Sequence, residues 1–333
     1  MKILLNNTSL FESLRPFNDL GFVPTMGGIH KGHLSLINKS NKICKKTIVS
    51  IFINPKQFNN KKDLKSYPRN IKKDLKILKK SKKVDFVYIP KFKDIYKDKK
   101  KSKITLQKKD KILCAKFRKG HFEGVLDVMN KLTKIVKPKK IFMGEKDFQQ
   151  LYLVKKELEK KYKTKVIPCK TIRDKNNVAL SSRNLLLNKS NLKVASNIYK
   201  KLTNIKKNIN KNKNISDFLN SQKKELRNNY KIKIDYLELR NENTLKISST
   251  KKNSRLFIAY HLNYVRLIDN LWFYKKYAPT PKKETKPITS VIVVTKTLEA
   301  IAGSIFIFFK VKGTSIPNNP AMIIVSTIDI AMI

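Results

Sequence analysis

The length and composition of the chain exclude several classes of protein. It has 333 residues, 41% hydrophobic and 9% aromatic, which is enough for the cores of about two domains and too apolar for a disordered chain. Nine Gly and 12 Pro exclude a collagen-like or linker-dominated protein. Cys44, Cys114 and Cys169 form no CxxC pair, which excludes a zinc knuckle or a dense disulfide scaffold and favours the reducing environment of the cytoplasm.

The net charge of +51 comes mainly from lysine. Only nine of the 75 basic residues are Arg, whereas proteins that read nucleic acid rely on Arg because its planar fork matches guanine edges and phosphates. A lysine excess spread over the whole chain therefore indicates solvated surfaces, and we expect no specific nucleic-acid partner. Polyanion binding stays open as the alternative, because so positive a field attracts nucleic acid in any case.

The apolar segments of the chain are too short to enter a membrane. The N-terminal apolar run is only Ile3–Leu5, which predicts no signal peptide. The longest candidate, Ala300–Phe309, lies between Glu299 and Lys310 and falls short of the roughly 18 residues that a span needs. We therefore expect no membrane partner.

From Gly21 to about Cys169, short apolar strands alternate with longer amphipathic segments rich in lysine. The predicted strands are Leu20–Pro24, Thr47–Ile53, Asp85–Ile89, Lys140–Met143 and Lys165–Cys169, and the predicted helices are Gly32–Cys44, Asn70–Lys80, Phe122–Val136 and Asp147–Lys160. This alternation is typical of a parallel, doubly wound α/β sheet, which we assign to a domain at residues 1–170. Ligands of such sheets bind at the carboxyl ends of the strands.

The pattern changes after about Lys170. Two predicted helices, Ser190–Ile209 and Ser216–Tyr230, are followed by the short predicted strands Lys233–Leu239, Arg255–Tyr260 and Tyr264–Ile268. This order predicts a smaller α+β domain at residues 171–272. Residues 273–333 combine a Pro/Lys linker with apolar runs of no clear period, and we predict a disordered or poorly packed tail.

A histidine motif follows the first predicted strand. In VPTMGGIHKGH (Val23–His33), two glycines allow the backbone to approach a ligand, and His30 and His33 follow. If a helix begins near Gly32, both imidazoles lie at its N-terminal end, where backbone N–H groups and the helix dipole favour phosphate. Two histidines there can donate to phosphates and stabilise transition-state charge. A zinc site is disfavoured because no third ligand has the required spacing, and a pair of ordinary loop histidines is the alternative.

Amide side chains leave the second predicted strand at its carboxyl end. Asn54 and Gln57 lie in SIFINPKQF (Ser50–Phe58). Because amides both donate and accept hydrogen bonds, they suit a small substrate rich in hydroxyl groups and singly charged. The alternative is a turn in which Asn precedes Pro.

The segment GEKDFQQ follows another predicted strand. Lys146 is expected to meet phosphate, and Asp147 to accept hydrogen bonds from ribose hydroxyls. Gln150 lies three residues beyond Asp147 and so on the same helix face. Alternatively, Asp147 is a helix N-cap.

Two further candidates contain arginine, which is rare in this chain. The segment Leu180–Arg183 supplies two hydroxyls and a guanidinium, which suits a clamp on polyphosphate; a solvated turn is the alternative. Arg118 can bind a carboxylate with two parallel hydrogen bonds, or form a surface ion pair.

Six motifs occur in a fixed order along the chain, and together they resemble one enzyme family. They are PTMGGIHKGHLSLI, SIFINPKQF, YPR, GHFEGV, GEKDFQQ and ALSSRN, and the HxGH string within the first is typical of nucleotidylyltransferase-type adenylating folds. The whole set closely resembles the pantothenate synthetase family, the pantoate–β-alanine ligases. The resemblance runs from near residue 1 to RLIDN (Arg266–Asn270), about four-fifths of the chain.

The resemblance implies a Rossmann-like fold in which the smaller domain closes over the site. It implies condensation of pantoate with β-alanine to pantothenate through pantoyl adenylate, with release of AMP and pyrophosphate. Mg²⁺ is expected on the phosphates of ATP, and a cytoplasmic homodimer is expected as the assembly. No metal ligand is assigned to the chain.

The resemblance also assigns the site residues. The ATP site would be lined by Met26, Gly27, Gly28, Ile29, His30, Lys31, Gly32, His33, Gly144, Glu145, Lys146, Asp147, Ile172, Leu180, Ser181, Ser182 and Arg183. The resemblance gives His33 the family's proton-donor or active-site position, and His30, His33, Lys146 and Arg183 are expected to stabilise charge on the triphosphate. Gln57 and Gln150 bind pantoate, with Gln57 also near β-alanine, and Asn54 and Arg118 complete the predicted substrate site.

The sequence departs from the family pattern at two places that bear on the site. Asn177 stands where the family usually has Gly; if that position needs a positive φ, Asn is the next-best residue. Lys72 and Lys73 lie in a stretch that is often acidic, which leaves Asp74 alone and disfavours a metal contact there.

Three other functions are compatible with parts of the sequence, and each is disfavoured by a particular feature. A simple nucleotidylyltransferase is disfavoured because a phosphate-bearing substrate would need more cations than the amides provide. A degenerate class I aminoacyl-tRNA synthetase is disfavoured because LSSR replaces its KMSKS-like loop. A nucleic-acid-binding protein that keeps a ligase fold is disfavoured because aromatic and basic residues do not interleave.

Overall fold

The chain forms two β-sheets in a computed structural model that describes residues 1–59, 61–96, 104–209 and 214–273. The strands are β1 (Lys2–Leu4), β2 (Leu20–Thr25), β3 (Lys46–Ile51), β4 (Phe86–Tyr88), β5 (Lys140–Gly144), β6 (Lys165–Cys169), β7 (Lys233–Asn241), β8 (Ser254–Leu262) and β9 (Val265–Trp272). The helices are α1 (Asn7–Leu14), α2 (Lys31–Ile43), α3 (Lys61–Ser66), α4 (Ile71–Ser81), α5 (Phe92–Ile95), α6 (Cys114–Phe117), α7 (His121–Val136), α8 (Phe148–Lys161), α9 (Lys189–Asn208) and α10 (Ile215–Tyr230).

The first sheet is parallel throughout, with the strand order β1-β4-β3-β2-β5-β6. Consecutive residues of its central strands enter different cores: Phe22 packs beneath α7 and α8, whereas Val23 packs beneath α2 and α4. Burial on both faces explains why these strands read as continuous apolar runs. The predicted doubly wound α/β fold is confirmed.

Strand β1 and helix α1 were not predicted. The apolar run Ile3–Leu5 is too short to predict a strand from composition. Strand β1 forms because each of its three residues pairs with β4. An edge strand of this length depends on its neighbour, so its own composition carries little signal.

The order of the strands reverses between β2 and β5. From β2 the chain continues through β3 and β4 on one side, and through β5 and β6 on the other. Strands β2 and β5 pair only at Gly21 with Lys140 and at Phe22 with Ile141, so their carboxyl ends separate. Such a switch point is where open α/β sheets bind ligands.

The second sheet is antiparallel, with the order β7-β8-β9. Helices α9 and α10 pack on one face. The other face contributes Tyr236, Phe257 and Ala259 to the core beneath the first sheet. The predicted helices and strands of this region are present, and β8 and β9 are longer than predicted because they pair along their whole length.

The predicted division at residue 170 follows the end of β6, and the separation into two domains stays a prediction. The predicted tail lies, apart from Phe273, outside the described residues. All three cysteines are buried free thiols. Among the residues that the structure describes, no helix is both long and apolar enough to cross a bilayer.

Candidate active site

A cavity of about 250 Å³ opens at the switch point between β2 and β5. It brings together most of the predicted site residues: Met26, His30, Gly32, His33, Gln57, Arg118, Gly144, Lys146, Asp147, Gln150, Ile172, Leu180, Ser181, Ser182 and Arg183. Six predicted residues do not line it: Gly27, Gly28, Ile29, Lys31, Asn54 and Glu145. Residues that are more than 150 positions apart in the chain therefore converge on one pocket.

The two histidines cap the N-terminus of α2. The backbone N–H of Gly32 donates to Nδ1 of His30 (3.0 Å), and the N–H of His30 donates to Nδ1 of His33 (3.4 Å). Because each Nδ1 accepts a hydrogen bond, each neutral ring carries its proton on Nε2. The motif thus presents two Nε2–H donors at a helix end whose dipole also favours anions.

Burial keeps both imidazoles neutral. It lowers the pKa of His30 to about 4, with a further contribution from the Lys146 ammonium. It also lowers the pKa of His33 to about 3, with contributions from His30 and Lys146. The two rings lie 4.1 Å apart between centroids, so protonation of one opposes protonation of the other.

Glycine at position 32 is required by the capping geometry. A Cβ atom there would lie 2.7 Å from Cε1 and 2.8 Å from Nδ1 of His30. Any side chain would therefore displace the ring that caps the helix. The close approach explains why glycine separates the second histidine from the first in HxGH.

The loop before the histidines is anchored by Asp74 of α4. Its buried carboxylate accepts hydrogen bonds from the N–H groups of Gly28 (2.9 Å) and Ile29 (2.8 Å). These two amides are therefore satisfied within the protein, although the sequence predicted that this loop would face ATP. The contact also gives Asp74 a structural partner other than a metal ion.

Gln57 is held against the cavity by the N-terminal half of α7. Gly124 packs so closely on the turn at Pro55–Gln57 that a Cβ atom would lie 2.3 Å from the carbonyl oxygen of Lys56. The side-chain amide of Asn54 donates to the carbonyl of Gly124 (3.0 Å), and its oxygen accepts from the Tyr96 hydroxyl (3.0 Å). Asn54 is thus occupied in fixing the turn, while the Gln57 amide remains on the cavity wall.

The two glutamines of GEKDFQQ have different surroundings. Gln149 is buried and its amide donates to the carbonyls of Asp110 (3.2 Å) and Ile112 (2.8 Å), which fixes the segment before α6. Gln150 lines the cavity. The helical spacing predicted that the second glutamine, not the first, shares the face of Asp147.

Arg118 and His121 form a hydrogen-bonded pair beside Gln57. The Arg118 guanidinium donates to Nε2 of His121 (2.8 Å), so His121 carries its proton on Nδ1 and donates it to the Gln57 carbonyl (2.6 Å). Burial and the neighbouring guanidinium lower the pKa of His121 to about 3. Burial also lowers the pKa of Arg118 to about 10.

The segment Leu180–Arg183 forms the opposite wall. The Ser182 hydroxyl donates to the Tyr67 hydroxyl (3.1 Å), and Nη2 of Arg183 contacts both carboxylate oxygens of Asp63 (3.1 and 2.9 Å). Asn177, in the turn that leads to this segment, has φ +64°, which confirms the need for a residue that tolerates positive φ. Tyr67 and Asp63 were given no role by the sequence, because their partners lie more than a hundred positions away.

The cavity suits an anionic ligand. Among the described residues that line it, Lys146, Arg118 and Arg183 are cationic with Lys170, and Asp147 is the carboxylate. No group of three or more His, Cys, Asp or Glu side chains in the described part of the chain is arranged to hold a metal ion. Two neutral histidine donors at a helix N-terminus and a facing lysine are the arrangement expected for a bound polyphosphate.

Known proteins share this sequence and fold. A profile of the pantoate–β-alanine ligase family matches residues 5–272. Pantothenate synthetase from Flavobacterium psychrophilum is 39% identical over 285 residues, which cover 81% of this chain and 99% of that protein. Pantothenate synthetase from Ruthia magnifica is 39% identical over 281 residues, which cover 83% of this chain and 100% of that protein.

Solved structures agree with these sequence relatives. Pantothenate synthetase from Thermus thermophilus superposes with a TM-score of 0.76 at 29% identity, over 83% of this chain and all of that one. Pantoate–β-alanine ligase from Francisella tularensis, crystallised with β,γ-ATP and β-alanine, superposes with a TM-score of 0.68 at 34% identity, over 82% of this chain and 98% of that one. The chain belongs to the pantoate–β-alanine ligase family.

Proposed function

We propose that the protein condenses pantoate with β-alanine, using ATP, to form pantothenate. In the first step a pantoate carboxylate oxygen forms a bond to the α-phosphorus of ATP, and the bond to the bridging oxygen breaks to release pyrophosphate. In the second step the β-alanine amine forms a bond to the acyl carbon of pantoyl adenylate, AMP leaves, and the amine loses its proton. The observation that carries the proposal is that His30 and His33, each with Nδ1 accepting a backbone hydrogen bond, line the same cavity as Lys146.

His30 and His33 are proposed to stabilise the charge that develops on the triphosphate. Each neutral ring keeps its proton on Nε2, and the Nδ1 contacts fix the orientation of each ring and so the direction of its Nε2–H. His33 is proposed to donate to the triphosphate beside His30, because both rings line the same cavity. Preorganised donors of this kind typically contribute about 10²–10³ in rate each.

Lys146 and Arg183 are proposed to neutralise phosphate charge from opposite walls. Lys146 has a side chain only 17% exposed and lies 3.7 Å from the Asp147 carboxylate. Arg183 is paired with Asp63, so phosphate binding requires that it share or exchange this partner. The exchange would couple ATP binding to the position of the Leu180–Arg183 segment.

Gln57 and Gln150 are proposed to bind pantoate. Both amides lie on the cavity wall, and an amide can donate to the carboxylate and accept from the hydroxyls of the same molecule. Arg118 lies beside them and is proposed to attract the carboxylate of a substrate. Holding the carboxylate beside the α-phosphate is expected to supply much of the rate.

Mg²⁺ is proposed to arrive with its substrate, as the Mg·ATP complex. The described residues hold no cluster of ligands for a resident ion, and Asp147 is the cavity carboxylate that could approach the cation. When bound, the ion would neutralise charge on the β- and γ-phosphates.

We also propose that the protein is a cytoplasmic homodimer. The three buried free thiols support a reducing compartment. The large apolar side chains of Ile3, Leu5, Phe11 and Phe92 are exposed near the N-terminal edge of the first sheet, which supports burial against a second copy. Light scattering coupled to size exclusion tests the dimer, and a monomer at micromolar concentration would contradict it.

The function is tested by following pyrophosphate release from Mg·ATP by the full-length protein. Release is expected to require pantoate, and AMP and pantothenate are expected to appear in equal amounts once β-alanine is added. Omission of pantoate is the matched control. No pantoate-dependent release from protein shown by circular dichroism to be folded would overturn the proposal.

A further inference from the structure

The turn that carries Lys146 is held by the second sheet, 125 positions further along the chain. Asn270 of β9 donates through Nδ2 to two successive carbonyl oxygens, those of Glu145 and Lys146, each at 2.9 Å. The two carbonyls belong to the peptide groups on either side of the lysine Cα. Asn270 is only 4% exposed, so solvent cannot replace these donors.

Asn270 is itself fixed from the other side by Arg255 of β8. The Arg255 guanidinium donates to Oδ1 of Asn270 (2.6 Å) and thereby determines which end of the amide faces the turn. It also contacts the carboxylates of Glu145 (3.4 Å) and Glu242 (3.2 Å), and it lies 4.0 Å above the ring of Phe148. A side chain that is 2% exposed and has this many contacts has little freedom to move.

The same strand holds the opposite wall of the cavity through the preceding residue. Asp269 receives two hydrogen bonds from Arg173 (2.7 and 2.8 Å), and Arg173 also donates to the carbonyl of Asn177 in the turn before Leu180–Arg183. Asp269 and Asn270 are adjacent, and the N–H of Asn270 donates to the Asp269 carboxylate. One short stretch of β9 is therefore hydrogen-bonded to the turn of Lys146 and, through Arg173, to the turn before Leu180–Arg183.

We propose that Asn270 is a positioning residue for adenylate formation, which acts by fixing the backbone of Lys146 against the bound triphosphate. The inference rests on the proposed role of Lys146. Asn270 touches no reacting atom; its contribution passes through the lysine, whose ammonium must meet charge that develops in the transition state. A shift of about 1 Å in such a group can cost about a hundredfold in rate.

The variant Asn270→Asp tests the proposal with little change in shape. A carboxylate keeps the contact to Arg255 but cannot donate to the carbonyls of Glu145 and Lys146. The rate constant of adenylate formation, measured by rapid-quench pyrophosphate release, is expected to fall about ten- to a hundredfold. The KM for pantoate is expected to stay within about twofold, because Asn270 hydrogen-bonds to Arg255 and to the turn of Lys146, and to neither Gln57 nor Gln150.

A double-mutant cycle with Lys146→Ala separates positioning from a general structural role. If Asn270 acts through the lysine, Asn270→Asp added to Lys146→Ala changes the rate by less than about twofold. A full additional loss in the double variant would overturn the proposal. Asn263→Asp, in the exposed turn of the same hairpin, is the matched control for the added charge, and its activity is expected to equal that of the parent protein.

Asn270→Ser is a second variant, to be used if the buried carboxylate of Asn270→Asp prevents folding. It removes the same two donors without adding charge, and it is expected to give the same kinetic signature with a folded circular dichroism spectrum. If both variants are unfolded while Lys146→Ala is folded, Asn270 holds the sheet and the proposal is wrong.

The single variants distinguish failure of this inference from failure of the proposed function. An unchanged rate in Lys146→Ala would remove the lysine from the mechanism. A loss in Lys146→Ala without a loss in Asn270→Asp would contradict only the positioning role.

Discussion

The histidine segment at the end of β2 and the lysine turn at the end of β5 face the same cavity but are held by contacts of different range. His30 and His33 are oriented by backbone N–H groups two and three positions away. Lys146 is oriented by Asn270, from another sheet. The residues of a contiguous motif can therefore orient one another. A functional residue outside such a motif is oriented by residues that only the folded chain brings close to it.

The largest expected effect is the loss of the histidine donors. His33→Ala removes one Nε2–H group and one acceptor of the cap, and adenylate formation is expected to fall about 10²- to 10³-fold. The rate constant of pyrophosphate release, measured in a single turnover with saturating pantoate, reports this fall. His261→Gln, outside the cavity, is the control, and an unchanged rate in His33→Ala would remove His33 from the mechanism.

A methyl group at position 32 tests the local range of the histidine contacts. In Gly32→Ala the new Cβ displaces the His30 ring, so adenylate formation is expected to fall about ten- to a hundredfold. Helix content should be retained because Ala is a better helix former than Gly. Asn38→Ala, further along α2, serves as the control; equal activity of the two variants would show that the ring position is unimportant.

Gly124→Ala tests the close packing of α7 on the turn at Pro55–Gln57, which carries Gln57 on the cavity wall. The added Cβ must push the carbonyl of Lys56 away and carry Gln57 with it. The KM for pantoate is expected to rise about tenfold while the KM for ATP changes little. An equal rise in both values would contradict the assignment of this wall to pantoate.

The last expected effect is on stability and not on rate, and it appears as a dependence on pH. His33 and His121 have pKa values of about 3 in the folded protein and about 6.5 when unfolded, so the unfolded chain binds more protons between these values. Their stabilising contribution is complete above about pH 6.5 and is lost as the pH falls toward 3. The urea concentration at the midpoint of unfolding, measured at pH 7.5, 6.0 and 4.5, reports this loss of stability. Replacing both His33 and His121 by Gln is expected to make the midpoint depend less on pH.

The sequence predicted those parts of the fold and site that depend on local patterns. The parallel sheet follows from alternating apolar runs, and the place of the histidines follows from a helix beginning next to them. The edge strand β1 escaped prediction because pairing with β4, not its own composition, makes it a strand.

The residues that hold the site could not be read from the sequence. Asn54 and Glu145 carry groups that suit a ligand, but the fold uses them internally because buried polar groups need partners. Conversely, Asp74 and Asn270 lie far along the chain from the loop and the turn that they fix, and only the fold brings them there.

The most direct test of the account uses pantoate labelled with ¹⁸O in both carboxylate oxygens. If the carboxylate attacks the α-phosphorus of ATP at the switch point, one labelled oxygen remains on phosphorus when β-alanine displaces AMP. Attack through the carboxylate is expected to give AMP that carries one ¹⁸O and pyrophosphate that carries none. Unlabelled AMP, or labelled inorganic phosphate formed together with ADP, would contradict it.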